Sequence, residues 1–380
     1  MSFKKGQYGY DLECLQKYQT AVELVGGESR VLVAPDLQGR VMTSTTSGKQ
    51  GYSFGWVNHE LFAAEKRSDQ FNAFGGEERF WLGPEGGQFS FYFEKEKAME
   101  IDNWKVPSVI DVMPWEVKEV MPEMVTVNQA FKLKNYSGTE FRMEVTRRVG
   151  IILSDEIVFS LNCQPGPSVK SVAYESLNQL KNIGENVWTK TGGLPSIWML
   201  SMYNPSPEVM IIVPFNKEAE GPILKADYFD EIPEDRIKIK ASHVLLKADG
   251  QYRSKLGIPP ARAKRFLESY DPANQRLTIL ETTINPYASD YVNSAWDEVQ
   301  EEPFKGDLIN VYNDGPLANG AQLGPFYELE SSSEALQLEP GQSHIHIQRT
   351  YHFEGSEQDL NAISEKVLGV SLLKLEDSFN

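Results

Sequence analysis

The chain predicts an all-β fold, a large twisted antiparallel β-sandwich with few and short helices. Three observations predict it. Apolar and polar residues alternate with a period of two along many short runs, turn-forming residues separate those runs, and helical periodicity is confined to two places.

The runs fall in order along the chain. Residues 20–25 and 30–34 flank Gly26-Gly27, a hairpin signal. Residues 89–93 and 115–120 follow. In residues 124–133, Val125, Val127, Phe131 and Leu133 share one face while Thr126, Asn128 and Lys132 share the other. The turn Asn135-Tyr136-Ser137-Gly138 leads into residues 140–149, where Phe141, Met143 and Val145 oppose Arg142, Glu144 and Thr146. Further runs are expected at residues 156–161, 209–213, 276–284 and 344–353, with Asp249-Gly250 and Pro340-Gly341 as turns. Helices are expected at residues 10–18 and 356–368. The second has Ser356 as N-cap, Gln358 and Asp359 in its first turn, and Leu360, Ile363 and Val367 on one stripe. So many strands and so little helix imply sheets packed face to face. No repeat of fixed period and no low-complexity linker interrupts the pattern, so residues 1–380 are expected to form one domain.

Composition bounds the function. The chain has 380 residues, 41% of them hydrophobic, and its aromatic share comes from 19 Phe, 16 Tyr and 7 Trp. A net charge of −17 argues against a nucleic-acid partner, because phosphate binding needs a basic surface. No stretch approaches the roughly 20 apolar residues of a membrane span, and no apolar segment follows Lys4 and Lys5 as a signal peptide requires. Residues 236–265 run against the overall charge, with nine Lys or Arg and the single acid Asp249, and read as a solvated strand and loop. Cys14 and Cys163 form no ligand-spaced cluster and read as free thiols, Cys163 within a strand.

Three segments concentrate polar and aromatic residues. Residues 74–93, FGGEERFWLGPEGGQFSFYF, place Glu78, Arg79, Trp81, Glu85 and Gln88 among five glycines. Glycines permit close approach to backbone, charged groups bond hydroxyls, and an indole face packs on the apolar face of a sugar ring. The alternative is a polar loop held by an ion pair of Arg79. In residues 324–333, GPFYELESSS, a strand would put Glu328 and Glu330 on one face about 7 Å apart, close enough for one carboxyl to hold its proton for acid–base work. Residues 291–315 contain Trp296, Asp307, Asn310 and the turn Asn313-Asp314-Gly315, with Asp307 a ligand-binding candidate. His344, His346 and His352 read as an exposed strand face rather than metal ligands, since no third and fourth ligand is evident, and His59 and His243 read as structural. Phosphate-loop, dinucleotide, nucleophile-elbow and His-Glu-x-x-His motifs are absent, so no cofactor and no metal is expected.

With these pieces in place, the chain resembles the galactose mutarotase (aldose 1-epimerase-like) supersandwich family. Residues 31–48, VLVAPDLQGRVMTSTTSG, resemble that family's opening strands, in which Gly-Arg leads into the sheet. FGGEERFWLGPEGGQ occupies the place of the family's sugar-binding arginine, which makes Arg79 its counterpart. FYELESSSEAL resembles the strand that bears the general base, which makes Glu330 the counterpart. Over nearly its whole length the chain is similar to a bacterial family of that fold with no assigned activity. The resemblance implies a sugar or sugar-acid ligand and anomer interconversion by acid–base catalysis. The alternatives are a non-catalytic carbohydrate-binding protein, or a relative of glycoside hydrolases or polysaccharide lyases. The family's two histidines, in Leu-His-Gly and His-x-Tyr-Phe-Asn contexts, have no counterpart here. Residues 102–117 offer Trp104 and Lys105, and residues 174–184 offer Asn178 and Asn182. The acid that serves the ring oxygen would then fall to Lys255, Glu78 or a tyrosine.

This reading makes a geometric prediction. Arg79, Glu328 and Glu330 converge on one sheet face within reach of a single sugar ring. Lys255, which shares a strand face with Arg253, points into the same cleft.

Overall fold

The computed structural model describes all residues except 1, 2, 65, 227, 230, 318, 376, 377 and 380. Among the described residues, eighteen strands form three sheets in which every strand pairing is antiparallel. A ten-stranded sheet is built around Lys170–Asn182 and Ser343–Glu354, which pair along twelve residues. Glu140–Ile152, Met124–Lys134 and Glu116–Met121 extend it on one side. Arg276–Thr282, Phe266–Asp271, Met210–Pro214, His243–Lys247 and Ile237–Ile239 extend it on the other. The five-stranded sheet runs in the order Ser254–Ile258, Ile309–Asn313, Tyr327–Ser332, Ser196–Leu200, Arg79–Gly83. A three-stranded sheet, Val22–Gly26, Ser29–Ala34 and Arg40–Thr45, meets the last of these strands through a bridge between Val41 and Glu78. The molecule is mainly β, as the alternation predicts.

Period-two alternation decides what each sheet buries. In the five-stranded sheet Leu256, Ile258, Ile309, Val311 and Leu329 point inward and pack on Ile211, Val213, Leu246 and Leu280 of the ten-stranded sheet. Each such fully buried aliphatic side chain contributes about 1.5–3 kcal/mol of transfer free energy. The residues between them face the other way, and that second face carries the polar residues described below. The outer face of the ten-stranded sheet is covered in part by the helix Glu357–Val367, whose Leu360 and Ile363 pack with Tyr270, Ile279 and Tyr351. Ser356 caps that helix by accepting the Asp359 N–H at 3.2 Å. The first helix spans Tyr8–Tyr18. No helix among the described residues is long and apolar enough to cross a membrane.

Four expectations fail locally. Residues 156–161 belong to a helix, Ser154–Leu161, not a strand. Its start is set by Glu156, whose carboxylate accepts the Leu153 N–H at 3.0 Å, and its end by Asn162 at φ 47°. Ile157 and Leu161 are buried at helical spacing while Phe159, which lies between them in the alternation, is 87% exposed. Cys163 therefore follows a helix, half-buried. Residues 89–93 form no strand. They turn at Ser90, which bonds back to Gly87, and then bury Phe91, Tyr92 and Phe93 in succession. His346 and His352 are buried rather than exposed, because their strand turns that face toward the interior. His346 meets Ser331 at 2.9 Å, and burial lowers its pKa to about 3. His352 bridges Thr278 at 2.8 Å and Glu77 at 2.9 Å. The basic segment is not uniformly solvated either, since Lys255 and Arg262 are buried.

One buried carboxyl lacks a cation. Glu268 faces the C-terminal helix, its Oε1 accepts from Ser364 Oγ at 2.6 Å, its Oε2 has no partner, and burial raises its pKa to about 8. The folded state therefore holds a proton that the unfolded chain loses near the ordinary glutamate value. Stability falls as pH climbs between the two values and levels off above the higher one. Glu268→Gln should remove this slope. Urea denaturation at pH 5 and pH 9 should show the variant gaining on the parent at pH 9, and equal differences at both pH values would refute the assignment.

Candidate functional site

The polar face of the five-stranded sheet is assembled by register. Gly257, Asn310, Glu330, Leu200 and Arg79 lie opposite one another across five strands, so their side chains share one face. The neighbouring rows add Lys255, Tyr312 and Glu328 on one side, and Ser332, Trp198 and Trp81 on the other. Arg79 Nη2 donates to Glu328 Oε1 at 2.8 Å. Lys255 Nζ donates to Glu330 Oε2 at 3.3 Å, and Trp198 Nε1 donates to the same oxygen at 2.9 Å. Both cations also lie over indole rings, Arg79 over Trp81 at 4.4 Å and Lys255 over Trp198 at 4.9 Å.

The loop after Arg79–Gly83 carries Glu85 to this face. Gly86 and Gly87 allow it, because a Cβ on Gly86 would strike the Ala295 carbonyl and Gly87 adopts φ 80°. The Glu85 N–H donates to Ser294 Oγ at 3.1 Å, which ties this loop to the segment bearing Trp296. Trp296 stacks on Trp104 at 6.1 Å and Phe71 stands edge-on to Trp81, so aromatic rings close over the charged row. Arg79, Glu328, Glu330 and Lys255 are all less than a tenth exposed. A surface hollow of about 320 Å³ lined by Thr139, Arg142, Asn182 and Trp188 shares none of these residues.

Electrostatics in the row are lopsided. Burial pushes the Glu328 carboxyl up to about 8 against the pull of Arg79, and Glu330 pushes it in the same upward direction. Burial also raises Glu85, with Lys255 opposing and Glu330 adding. Burial alone would depress Lys255, but Glu330, Glu85 and Glu328 outweigh it and hold the ammonium above its ordinary value. Several buried polar atoms have no protein partner: Arg79 Nε and Nη1, Trp81 Nε1, Trp104 Nε1 and Glu330 Oε1. Buried groups left unbonded cost free energy, so this set marks a place for water or a polar ligand. Among the described residues no group of three His, Cys, Asp or Glu side chains is arranged to hold a metal ion.

The structure does not bring every candidate residue here. Glu78 alternates with Arg79 and points to the opposite side of its strand, into the sandwich interior. There it pairs with Arg147 Nη2 at 2.6 Å and accepts from Gln348 at 2.9 Å. Asn178 belongs to that same cluster through Arg147 Nη1 at 3.0 Å. Gln88 spends both ends of its amide on the Gln300 backbone, at 3.0 and 2.9 Å, and holds loops together. Asp307 accepts from Tyr228, whose ring lies 5.5 Å from Lys255, so it flanks the row from one end. Trp198 and Tyr228 were not expected. Ser196–Leu200 is a fully buried, five-residue strand with no polar alternation to draw attention to its indole. Arg147, fully buried on a strand of mixed charge, gives no local signal of its depth.

The fold is that of a galactose mutarotase-like β-sandwich. The chain aligns with a candidate aldose 1-epimerase of Escherichia coli K12 (TM-score 0.52, 11% identity, 89% of this chain and 99% of that one). It aligns likewise with a galactose mutarotase-like protein of Lactobacillus casei ATCC 334 (TM-score 0.52, 9% identity, 88% and 100%). A Synechocystis sp. PCC 6803 protein gives a TM-score of 0.51 at 12% identity, over 89% and 96%. No curated protein matches the sequence. The chain belongs to DUF6786, a family of unknown function whose model matches residues 6–379.

The Arg147–Glu78 pair generates a stability prediction. Arg147→Met leaves an unpaired buried carboxylate and should cost about 3–5 kcal/mol. Adding Glu78→Gln should recover much of that loss. Chemical denaturation of the two single variants and the double variant checks it, and strictly additive losses would contradict the pairing.

Proposed function

We propose that the chain binds a carbohydrate against the Arg79–Trp81–Glu328–Glu330–Lys255 face and interconverts its anomers by acid–base catalysis. The observation that carries this reading is the set of buried, unpartnered polar atoms of Arg79, Trp81, Trp104 and Glu330 among buried tryptophan rings. A pyranose offers the matching surface, with hydroxyls for the polar atoms and C–H groups for the indoles. Glu330, whose Oε1 is unengaged, takes the proton of the anomeric hydroxyl. Glu328, a carboxyl that holds its proton near neutral pH, gives one to the ring oxygen as the C1–O bond breaks. The open-chain aldehyde then recloses on its other face with the two proton transfers reversed. Arg79 orients the ring, and Glu328 fills the role for which the chain has no histidine. Because these groups are buried, a sugar reaches them only when the loops carrying Phe71, Tyr228 and Trp296 part.

A binding protein without turnover is the second reading, favoured by the direct engagement of Glu328 with Arg79. Polarimetry on freshly dissolved aldoses separates the two. Glu330→Gln should abolish accelerated mutarotation and leave sugar affinity within a few-fold, since the amide keeps shape but accepts no proton. Arg79→Ala should weaken both. Activity should fall as pH rises through about 8, where Glu328 loses its proton. Wild-type protein that binds reducing sugars yet leaves their mutarotation at the buffer rate establishes the binding reading.

A further inference from the structure

We infer that the cleft takes a hexuronic acid, with the carboxylate on C5 of the sugar seated against Arg79 and Arg40. The inference rests on the carbohydrate reading above and adds the chemical class of the sugar.

The order of groups along the row supplies the first argument. In the proposed chemistry Glu330 serves the hydroxyl on C1 and Glu328 serves the ring oxygen. Glu328 is bonded in turn to Arg79 Nη2 at 2.8 Å. A pyranose ring runs in the same order, C1, ring oxygen, C5, so the substituent on C5 falls at Arg79. Glu330 and Arg79 both stand opposite Leu200, two strands apart and about 10 Å between backbones, which leaves one ring in reach of both side chains.

The second argument is the set of hydrogen-bonding groups left open at that end. Arg79 Nε and Nη1 are buried and have no partner. Arg40 stands beside them. Val41 and Glu78 exchange backbone hydrogen bonds at 3.0 and 3.2 Å, and this bridge sets Arg40 opposite Arg79 on the adjoining strand. Arg40 is fully buried and forms no ion pair among the described residues. It donates to the Gly75 carbonyl at 3.1 Å and to Gln38 Oε1 at 3.4 Å, and its Nε is unbonded. Asp111 acts on Arg40 from beyond bonding distance and is itself held by Asn72 Nδ2 at 2.9 Å. Burial and the neighbouring Arg79 lower Arg40 to about 9, as two adjacent guanidinium groups with no anion between them should. Trp81 and Trp104 add two more buried N–H groups without acceptors.

The unbonded buried groups at this end are thus all donors, whereas the unbonded acceptor, Glu330 Oε1, lies at the anomeric end. A hydroxymethyl group on C5 brings one oxygen and a hydrogen that finds no acceptor among these groups. A carboxylate brings two oxygens that only accept, and its bonds to guanidinium groups are charge-assisted. The carboxyl groups of the row do not oppose it. Burial pushes Glu328 up to about 8, so it keeps its proton at neutral pH. Glu330 is held by Lys255 and Trp198 at the other end, where Glu85 also acts.

The test is a matched series on the wild-type chain in the gluco and galacto configurations: the hexuronate, its uncharged C5 carboxamide, the parent hexose and the hexose 6-phosphate. Affinity is read by calorimetry at pH 7 in low salt. In at least one configuration the uronate should bind about tenfold or more tightly than the hexose, as expected for a charge-assisted contact in a buried site. The carboxamide, which keeps the shape and loses the charge, should fall back to the affinity of the hexose. The 6-phosphate, whose terminal oxygens lie two bonds farther from the ring, should bind more weakly than the uronate. Arg40→Gln should narrow the ratio of uronate to hexose affinity, and the wild-type series decides the matter if that variant does not fold. A uronate bound no more tightly than the hexose, or equalled by its carboxamide, would overturn the inference and leave the carbohydrate reading standing. A 6-phosphate bound more tightly than the uronate would overturn the carboxylate assignment. Failure of every sugar to bind would overturn both readings.

Discussion

Ionised side chains removed from water must find partners, and that constraint organises the middle of this molecule. The Arg79–Gly83 strand shows it most directly. Glu78 and Arg79 are neighbours in sequence, yet the pleat sends one toward Arg147 between the sheets and the other toward Glu328 on the opposite face. Each finds an oppositely charged group brought by a strand distant in sequence. A slip of one residue would exchange the two faces and leave both ions without partners, so the ion pairs pin the register of this strand as firmly as its apolar residues do.

The two clusters that result differ in kind. Around Glu78 the protein completes its own bonds: Arg147 reaches the carboxylate, Asn178 and the Gly39 carbonyl, and Gln348 takes the second carboxylate oxygen. A satisfied network of this sort holds the sheets together and offers nothing to a ligand. Around Glu330 the protein leaves donors and an acceptor unbonded and surrounds them with tryptophan. Incomplete satisfaction, not burial or charge alone, separates the candidate site from the core. Burial in the same row raises the proton affinity of the Glu328 and Glu85 carboxyls.

Much of this was readable in advance. Alternation in residues 124–133 and 140–149 located strands that bury Val125, Val127, Phe141, Met143 and Val145. The cap at Ser356 located the last helix. Segments 74–93 and 324–333 stood out by composition, and Arg79, Glu85, Glu328 and Glu330 from them share one face with Lys255. Failures have physical causes. At residues 156–161 an apolar alternation coincided with helix start and stop signals, and the local signals won. His346 and His352 carry the polar signature of a solvated strand face, as polar residues on strands usually do. The opposing sheet brought Ser331 and Glu77 to them instead.

What the amino-acid order determined by itself is a part of the strands, since period-two patterning and turn residues act over a few positions and need no distant partner. It also determined which side chains within a strand travel together, as with Glu328 and Glu330. Which strands lie side by side was decided only by tertiary structure, and with it the meaning of each charge. Trp198 reaches Glu330, and Lys255 becomes a buried counter-ion instead of one more surface lysine, because strands from five separate parts of the chain align in one sheet. Interactions between such distant residues leave no local trace in the sequence, because each is produced by the folding of the whole.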